Sequence, residues 1–195
     1  MADKPVVSLE DLARAEAQAL AAREAQKQAY LDGQKRLLLE VPALFFAMAK
    51  QLREGADRFN GAARLETVVK YRESAAVTTR DANLNADFVV ELERGKNALT
   101  FLIRNMARVG KPDSLVVEAF GAVGVEPKRD RFNLRIEGQV TNGAVGWRVT
   151  CDYQPVDTTV EELPDRMVAL IATGEMTRLW KTPPFAAKFD FLTSR

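Results

Sequence analysis

The chain has 195 residues, of which 47% are apolar and 28% are charged, a balance typical of a folded globular protein and too apolar for disorder throughout. Its net charge of +1 creates no overall field that would attract nucleic acid or an anionic membrane. The absence of histidine excludes His-dependent general-base catalysis, Ser-His and Cys-His nucleophile pairs, and His-ligated metal sites. Cys151 is the single cysteine, so neither an internal disulfide nor a cysteine-cluster metal site is available.

We expect neither a signal peptide nor a membrane-spanning segment in this sequence. The start, MADKPVV, has no basic segment leading into an apolar one, which argues against a signal peptide. The most apolar stretch, 37–49, contains Glu40 and Pro42 and is shorter than the roughly 20 residues that span a bilayer. We therefore expect a cytoplasmic protein without membrane contact, where a lone thiol stays reduced.

Residues 9–32 predict a first helix. Ser8 resembles an N-cap with acidic residues in the first turn. Eight alanines and the lack of internal Gly or Pro favour the helix, and Gly33 predicts its end. Its apolar stripe is thin, and three charged residues share it. The stripe comprises Leu9, Leu12, Leu20, Tyr30 and Leu31, interrupted by Glu16, Arg23 and Lys27. Such a helix is either solvent-exposed with few contacts or an arm, residues 1–33, that docks on a partner.

A second helix, 37–59, is predicted to follow, with Pro42 marking a kink or a new start. Its broad apolar face comprises Leu37, Val41, Leu44, Phe45, Met48 and Leu52. Because Leu39 and Phe46 point to the other side, this helix needs two partners. One is the sheet that follows; the other is either the first helix or another subunit. The candidate partner-binding residues are Leu12, Leu20, Leu31, Leu39 and Phe46.

Residues 64–154 alternate apolar and polar side chains, which predicts antiparallel strands with one buried face. The clearest signal is a hairpin about Asn142-Gly143, the favoured type I′ pair. A two-residue loop defines the register. The predicted pairs are Val140–Val145, Gly138–Trp147, Glu137–Arg148, Ile136–Val149, Arg135–Thr150 and Leu134–Cys151. Cys151 falls on the apolar face, where we expect a buried and inert thiol.

A C-terminal helix, 160–173, is predicted next, capped by Thr158 or Thr159 and ended by Gly174. An aromatic tail with Trp180, Phe185, Phe189 and Phe191 should pack down. The resulting fold class is α+β, with N-terminal helices followed by a curved antiparallel sheet and a C-terminal helix. Its parts are the N-terminal helical arm, 1–33, and an α+β domain, 34–195.

Two short motifs resemble ligand sites without meeting their requirements. Asp81–Asp87 spaces oxygen side chains as a calcium loop does, but Ala86 replaces the turn glycine and Leu92 the bidentate Glu, which favours a strand connection. Gly121 and Gly124 lack the pattern of a dinucleotide or phosphate loop, so a bulge or bend in a strand is expected.

Basic residues around the hairpin form a candidate anion-binding patch. These residues are Lys128, Arg129, Arg131, Arg135 and Arg148. Interleaved acidic residues, such as Asp130 and Glu137, favour a salt-bridged face over a nucleic-acid site.

No Ser, Lys or Tyr lies in a spacing that indicates a mechanism, so we expect no enzyme, no catalytic residue, no metal and no cofactor. The first function hypothesis is a structural subunit for complex assembly, whose N-terminal helices contact a protein partner or form a homo-oligomer. The alternative is a binding module for a small apolar ligand, with a pocket between curved sheet and helix. Its expected lining is Phe88, Phe101, Ile136, Trp147 and Tyr153.

Overall fold

The computed structural model describes residues 8–62, 67–79, 84–106, 115–125 and 128–179. The α+β fold class is confirmed: a long helix α1 (Leu9–Ala62) precedes one open, curved antiparallel sheet, and helix α2 (Leu163–Thr173) follows it. The strands follow one another in chain order across the sheet. They are β1 (Lys70–Thr79), β2 (Leu84–Arg94), β3 (Asn97–Arg104), β4 (Val116–Val125), β5 (Lys128–Thr141), β6 (Ala144–Cys151) and β7 (Gln154–Pro155).

Some predictions concern residues outside these ranges. The aromatic tail from Trp180 onward and residues 81–83 of the calcium-like segment lie outside the described residues. The rest of that segment begins β2, and Asp87 accepts a hydrogen bond from the Met106 backbone N–H at 2.7 Å. This part of the motif is thus a strand start, as expected.

The β5–β6 hairpin is confirmed with the predicted turn and register. Asn142 and Gly143 both have positive φ, at 51° and 77°, as a type I′ turn requires. All six predicted residue pairs are partners across the two strands. The alternation therefore places Leu134, Ile136 and their partners on the face that packs against the helices.

Helix α1 differs from the prediction, because it does not end at Gly33. One helix of 54 residues continues through both Gly33 and Pro42, and at about 1.5 Å per residue it is roughly 80 Å long. Gly33 is buried against β5: a Cβ there would lie 2.4 Å from Val140 Cγ1. The glycine therefore serves the close approach of helix to sheet, not helix termination. Within the described residues, no helix has an apolar stretch long enough to cross a bilayer.

The second half of α1 lies along the concave face of the sheet and forms the core with it. The predicted apolar face is buried except for Leu44, which is half-buried, and Phe45 stacks on Phe101 of β3 with 4.7 Å between ring centroids. Near the turn of the hairpin, Arg36 donates a hydrogen bond to the Gly143 carbonyl. The helix is thus held to the sheet from the β5–β6 turn onward.

The other end of α1 is fastened to β1 by side-chain hydrogen bonds. The Asn60 amide donates to the Val69 carbonyl at 2.9 Å, and its oxygen accepts from the Val69 N–H at 2.8 Å. The Tyr71 hydroxyl oxygen lies 3.1 Å from the Ala49 carbonyl oxygen and 2.5 Å from Glu73 Oε1. Burial, followed by the neighbouring Glu73 carboxylate, raises the pKa of Tyr71 well above its usual range, so the hydroxyl stays protonated.

Helix α2 begins later than predicted and lacks the predicted cap. Its N-cap is Glu162 without a side-chain capping bond, and Pro164 lies in the first turn. The Thr158 hydroxyl instead donates to the Leu179 carbonyl at 2.8 Å, in the 3₁₀ helix Met176–Leu179. The predicted end is confirmed, since Gly174 adopts a left-handed conformation with φ 75°.

Candidate functional site

The first part of α1 lies outside the core. Every residue from Ser8 to Gln28 is exposed, and the first contact with the sheet is at Ala29, beside Gly143. We call residues 8–28 the exposed arm; it is roughly 30 Å long at about 1.5 Å per residue. Its start is stabilised as predicted, because the Ser8 hydroxyl accepts a hydrogen bond from the Asp11 N–H at 3.1 Å.

The apolar residues of the exposed arm continue the buried side of the same helix. At about 100° per residue, Leu9, Leu12 and Leu20 lie on the same side of α1 as the core residues Leu37 and Phe45. Three of these side chains are exposed among the described residues: Leu9 is 85% exposed, Leu12 53% and Leu20 58%. The helix side that is buried in the core therefore runs on into solvent.

Charged residues interrupt this side of the helix. We define the arm stripe as the eight residues between Leu9 and Leu31 that share this side of the helix. They are Leu9, Leu12, Glu16, Leu20, Arg23, Lys27, Tyr30 and Leu31. Its acidic residue lies in the N-terminal half and its two basic residues in the C-terminal half, so the two halves of the stripe carry opposite charge.

The five candidate partner-binding residues do not form one surface. Leu12, Leu20 and Leu31 belong to the arm stripe, whereas Leu39 and Phe46 lie on the reverse side of α1. Both reverse-side residues are exposed, but the Phe46 ring contacts Phe88 of β2 edge-to-face at 5.0 Å. The sheet of the same chain thus already covers part of Phe46.

The continuity of α1 excludes the intramolecular alternative, in which the first helix packs against the second. A helical hairpin about Gly33 would have brought Leu20 and Leu31 against Leu39 and Phe46. A single helix cannot do this, because residues on it separate by about 1.5 Å for each position along the axis. Leu12 and Leu20 consequently stay exposed among the described residues.

The candidate anion-binding residues are only partly available to a ligand. Arg129, Arg131, Arg135 and Arg148 share the outer face of the sheet by strand alternation, while the side chain of Lys128 lies outside the described residues. Arg129 donates to the Lys96 carbonyl at 2.9 Å. The Arg135 guanidinium pairs with Glu118 at 3.4 Å and with Glu137 at 3.7 Å. This patch therefore includes the salt bridges that the interleaved acids predicted.

A second group on the outer face was not anticipated. Val89, Leu102 and Phe120 form a small apolar cluster beside Glu118, which is 8% exposed and also pairs with Arg104. Leu102 lies between the core residues Phe101 and Ile103. A run of apolar residues without alternation is the signal that a strand is buried on both faces.

The five residues expected to line a ligand pocket do not gather around one cavity. Phe101 is fully buried and Ile136 is 4% exposed, both in the core, whereas Tyr153 is 91% exposed. Trp147 lines a groove of about 460 Å³ beside β7, and Ile136 lines another of about 310 Å³ beside Leu37. These positions favour core packing for Phe101 and Ile136.

Cys151 lies on the buried face, as predicted. It is 2% exposed, and burial, followed by the adjacent Asp152 carboxylate, raises the pKa of its thiol to about 12. A thiol with such a pKa stays protonated near neutral pH and is a weak nucleophile. Among the described residues, no three His, Cys, Asp or Glu side chains converge as metal ligands do.

The exposed arm is the longest run of exposed residues in the described part of the chain. No protein-family model, no curated protein and no solved structure matches the chain.

Proposed function

We propose that this protein is a non-catalytic interaction or assembly subunit that contacts another chain through the arm stripe. The observation that supports it best is a helical continuation of a core helix, roughly 30 Å long, whose leucines are all exposed. Helices in proteins gain most of their stability from packing an amphipathic face. Aligned exposed apolar side chains on a folded protein commonly mark an interface.

The composition supports a role without catalysis. The chain has no histidine, and its single thiol is buried with a raised pKa. Histidine, the commonest general base, is thus absent, and the cysteine thiol, the most reactive nucleophile, is buried and protonated. The exposed arm, in contrast, carries groups suited to contact with another helix.

A double substitution in the full chain tests the proposal. Leu12→Gln with Leu20→Gln removes the two central leucines of the stripe while keeping helix propensity. Native mass spectrometry and sedimentation of protein purified from its native source should show a complex of fixed stoichiometry for the wild type and a folded monomer for the variant. The melting temperature of the variant should match that of the dissociated wild-type chain, because the exposed arm does not contact the sheet.

Ala21→Gln with Ala25→Gln is the matched control, since both alanines lie on the helix side opposite the stripe at about 100° per residue. This variant should retain the complex. A wild-type protein that runs as a monomer with no companion chain, or a complex that survives loss of both leucines, would refute the proposed function.

A further inference from the structure

The charges on the arm stripe identify the kind of chain that fits it. Glu16 and Arg23 lie at the centre of the stripe, and each is equally far from the point between Ala19 and Leu20. A two-fold axis through that point would bring Glu16 of one helix opposite Arg23 of another in antiparallel orientation. From this symmetry we propose that the exposed arm binds the exposed arm of a second copy of this chain as an antiparallel pair, an inference that rests on the proposed function.

The apolar residues of the stripe fit the same axis. Position 9 falls opposite position 30, which pairs Leu9 with Tyr30 of the second copy. Position 12 falls opposite position 27, where the aliphatic stem of Lys27 can cover Leu12 while its ammonium group stays in water. Leu20 lies next to the axis and meets the alanine-rich centre of the other helix. Each symmetric contact occurs twice, as in any isologous interface.

The parallel orientation lacks this complementarity. Two arms in parallel register would place Glu16 against Glu16 and Arg23 against Arg23, and like charges in helix pairs oppose association. Glu16 and Arg23 thus select the antiparallel arrangement through both attraction and repulsion.

The sheet sets the end of the pair. The β5–β6 turn lies against Ala29, so the sheet of the second copy begins beside the last pair, Leu9 with Tyr30. The two α+β bodies stand at opposite ends of the paired arms, and the continuous helix α1 holds each body away from the other.

Charge reversal in the full chain tests this pairing. Glu16→Arg and Arg23→Glu each turn two symmetric attractions into two repulsions, and each should weaken self-association about tenfold or more, which corresponds to about 1.4 kcal/mol. The double variant E16R/R23E restores both pairs in the antiparallel arrangement and should dimerise like the wild type. Sedimentation equilibrium at low ionic strength measures all four proteins, because such pairs are screened by salt.

Arg14→Glu is the matched control for Arg23→Glu. The two arginines are nine positions apart, which at about 100° per residue places them on opposite sides of the helix. The control should dimerise within about twofold of the wild type, since exposed charges away from the contact contribute little. Thermal melts of every variant should coincide with that of the wild-type monomer.

Two results would overturn the inference and leave the proposed function intact. One is a dimer that the single charge reversals do not weaken. The other is a purified chain that stays monomeric at concentrations where Leu12 and Leu20 hold it to a different protein. A chain that is monomeric and forms no complex that depends on these leucines would overturn both.

Discussion

Gly121 on β4 lies very close to the backbone of the neighbouring strand β3. A Cβ at this position would be 2.0 Å from the Ala98 carbonyl oxygen, which is part of the backbone and cannot turn aside as a side chain can. We expect Gly121→Ala to destabilise the fold by about 1–3 kcal/mol, the usual cost of overpacking. Urea denaturation of the purified chain gives this difference.

Gly146 on β6 is the matched control for that substitution. No atom lies within 4 Å of a Cβ built there, and the residue is exposed. Gly146→Ala should therefore leave the stability unchanged or raise it by about 0.4–1 kcal/mol, because alanine restricts the unfolded chain. Equal losses at both glycines would contradict the close approach at Gly121.

The Cys151 thiol should be protected by its surroundings. Its pKa is raised to about 12 in the folded state and has the ordinary value of 9.0 when the chain unfolds. Because the unfolded state alone ionises between these values, the contribution of this residue to stability is intact below pH 9.0 and decreases as the pH rises toward about 12. We expect alkylation at pH 8.5 to be slow in buffer and fast in denaturant.

Ala13→Cys supplies the internal comparison for that experiment. Residue 13 is exposed on the arm, so its thiol should react at once in the folded variant while Cys151 does not. Peptide mapping of the alkylated variant separates the two sites. Rapid reaction of Cys151 in the native protein would show that the thiol is accessible.

At the scale of elements, Asn97 joins α2 to the sheet. Its amide donates to the Ile171 carbonyl at 2.9 Å, and its oxygen accepts from the Gly124 N–H at 3.0 Å. Arg94 on the same hairpin donates to the Ala172 carbonyl. These bonds use carbonyls in the last turn of α2, which have no partner within the helix.

Removing the Asn97 side chain should weaken the attachment of α2 to the sheet and lower the free energy of unfolding. Asn97→Ala leaves a partly buried N–H and a carbonyl without their bonds, and we expect a loss of about 1–3 kcal/mol in urea denaturation. Asn97→Asp should also be destabilising, because a carboxylate accepts from Gly124 but cannot donate to Ile171.

Asn133→Ala is the matched control, because it tests whether removing any asparagine side chain from the sheet has the same effect. The Asn133 side chain is exposed. The hydrogen bonds between this residue and Asp152 use the backbone N–H and carbonyl of Asn133. Its loss should change the stability by less than about 0.5 kcal/mol. A large effect here, or a small one at Asn97, would contradict the joining role.

At the scale of the whole molecule, the long helix determines the overall dimensions. A compact chain of 195 residues has a radius of gyration of about 16 Å, whereas α1 alone is roughly 80 Å long. We expect small-angle X-ray scattering of the L12Q/L20Q monomer to give a maximum dimension of at least about 80 Å. Dimensions that fit a compact sphere would mean that the first part of α1 folds back.

Much of the fold follows from local signals in the sequence. Asn142-Gly143 predicts a turn with positive φ, and strand alternation then determines the register from Leu134 to Cys151. Ser8 and Gly174 mark the ends of helices for a similar reason. In each case the physical cause lies within a few residues of the signal, so one sequence is sufficient to predict it.

The candidate site was predictable in its residues and not in its arrangement. Leu12 and Leu20 stand out because the first helix has too few apolar residues to pack well, and both are exposed. That Leu39 and Phe46 lie on another side of one continuous helix depends on whether α1 ends at Gly33.

The sequence by itself determined the α+β fold class, the hairpin register and the shortage of apolar cover on the first helix. Only the tertiary structure decided what the glycines do. Gly33 admits Val140, and Gly138, predicted to pair with Trp147, admits Leu37, to which a Cβ would come within 2.4 Å. A glycine indicates either a special backbone angle or a close neighbour. The close neighbour of Gly33 is more than a hundred positions away in the chain, so no local pattern predicts it.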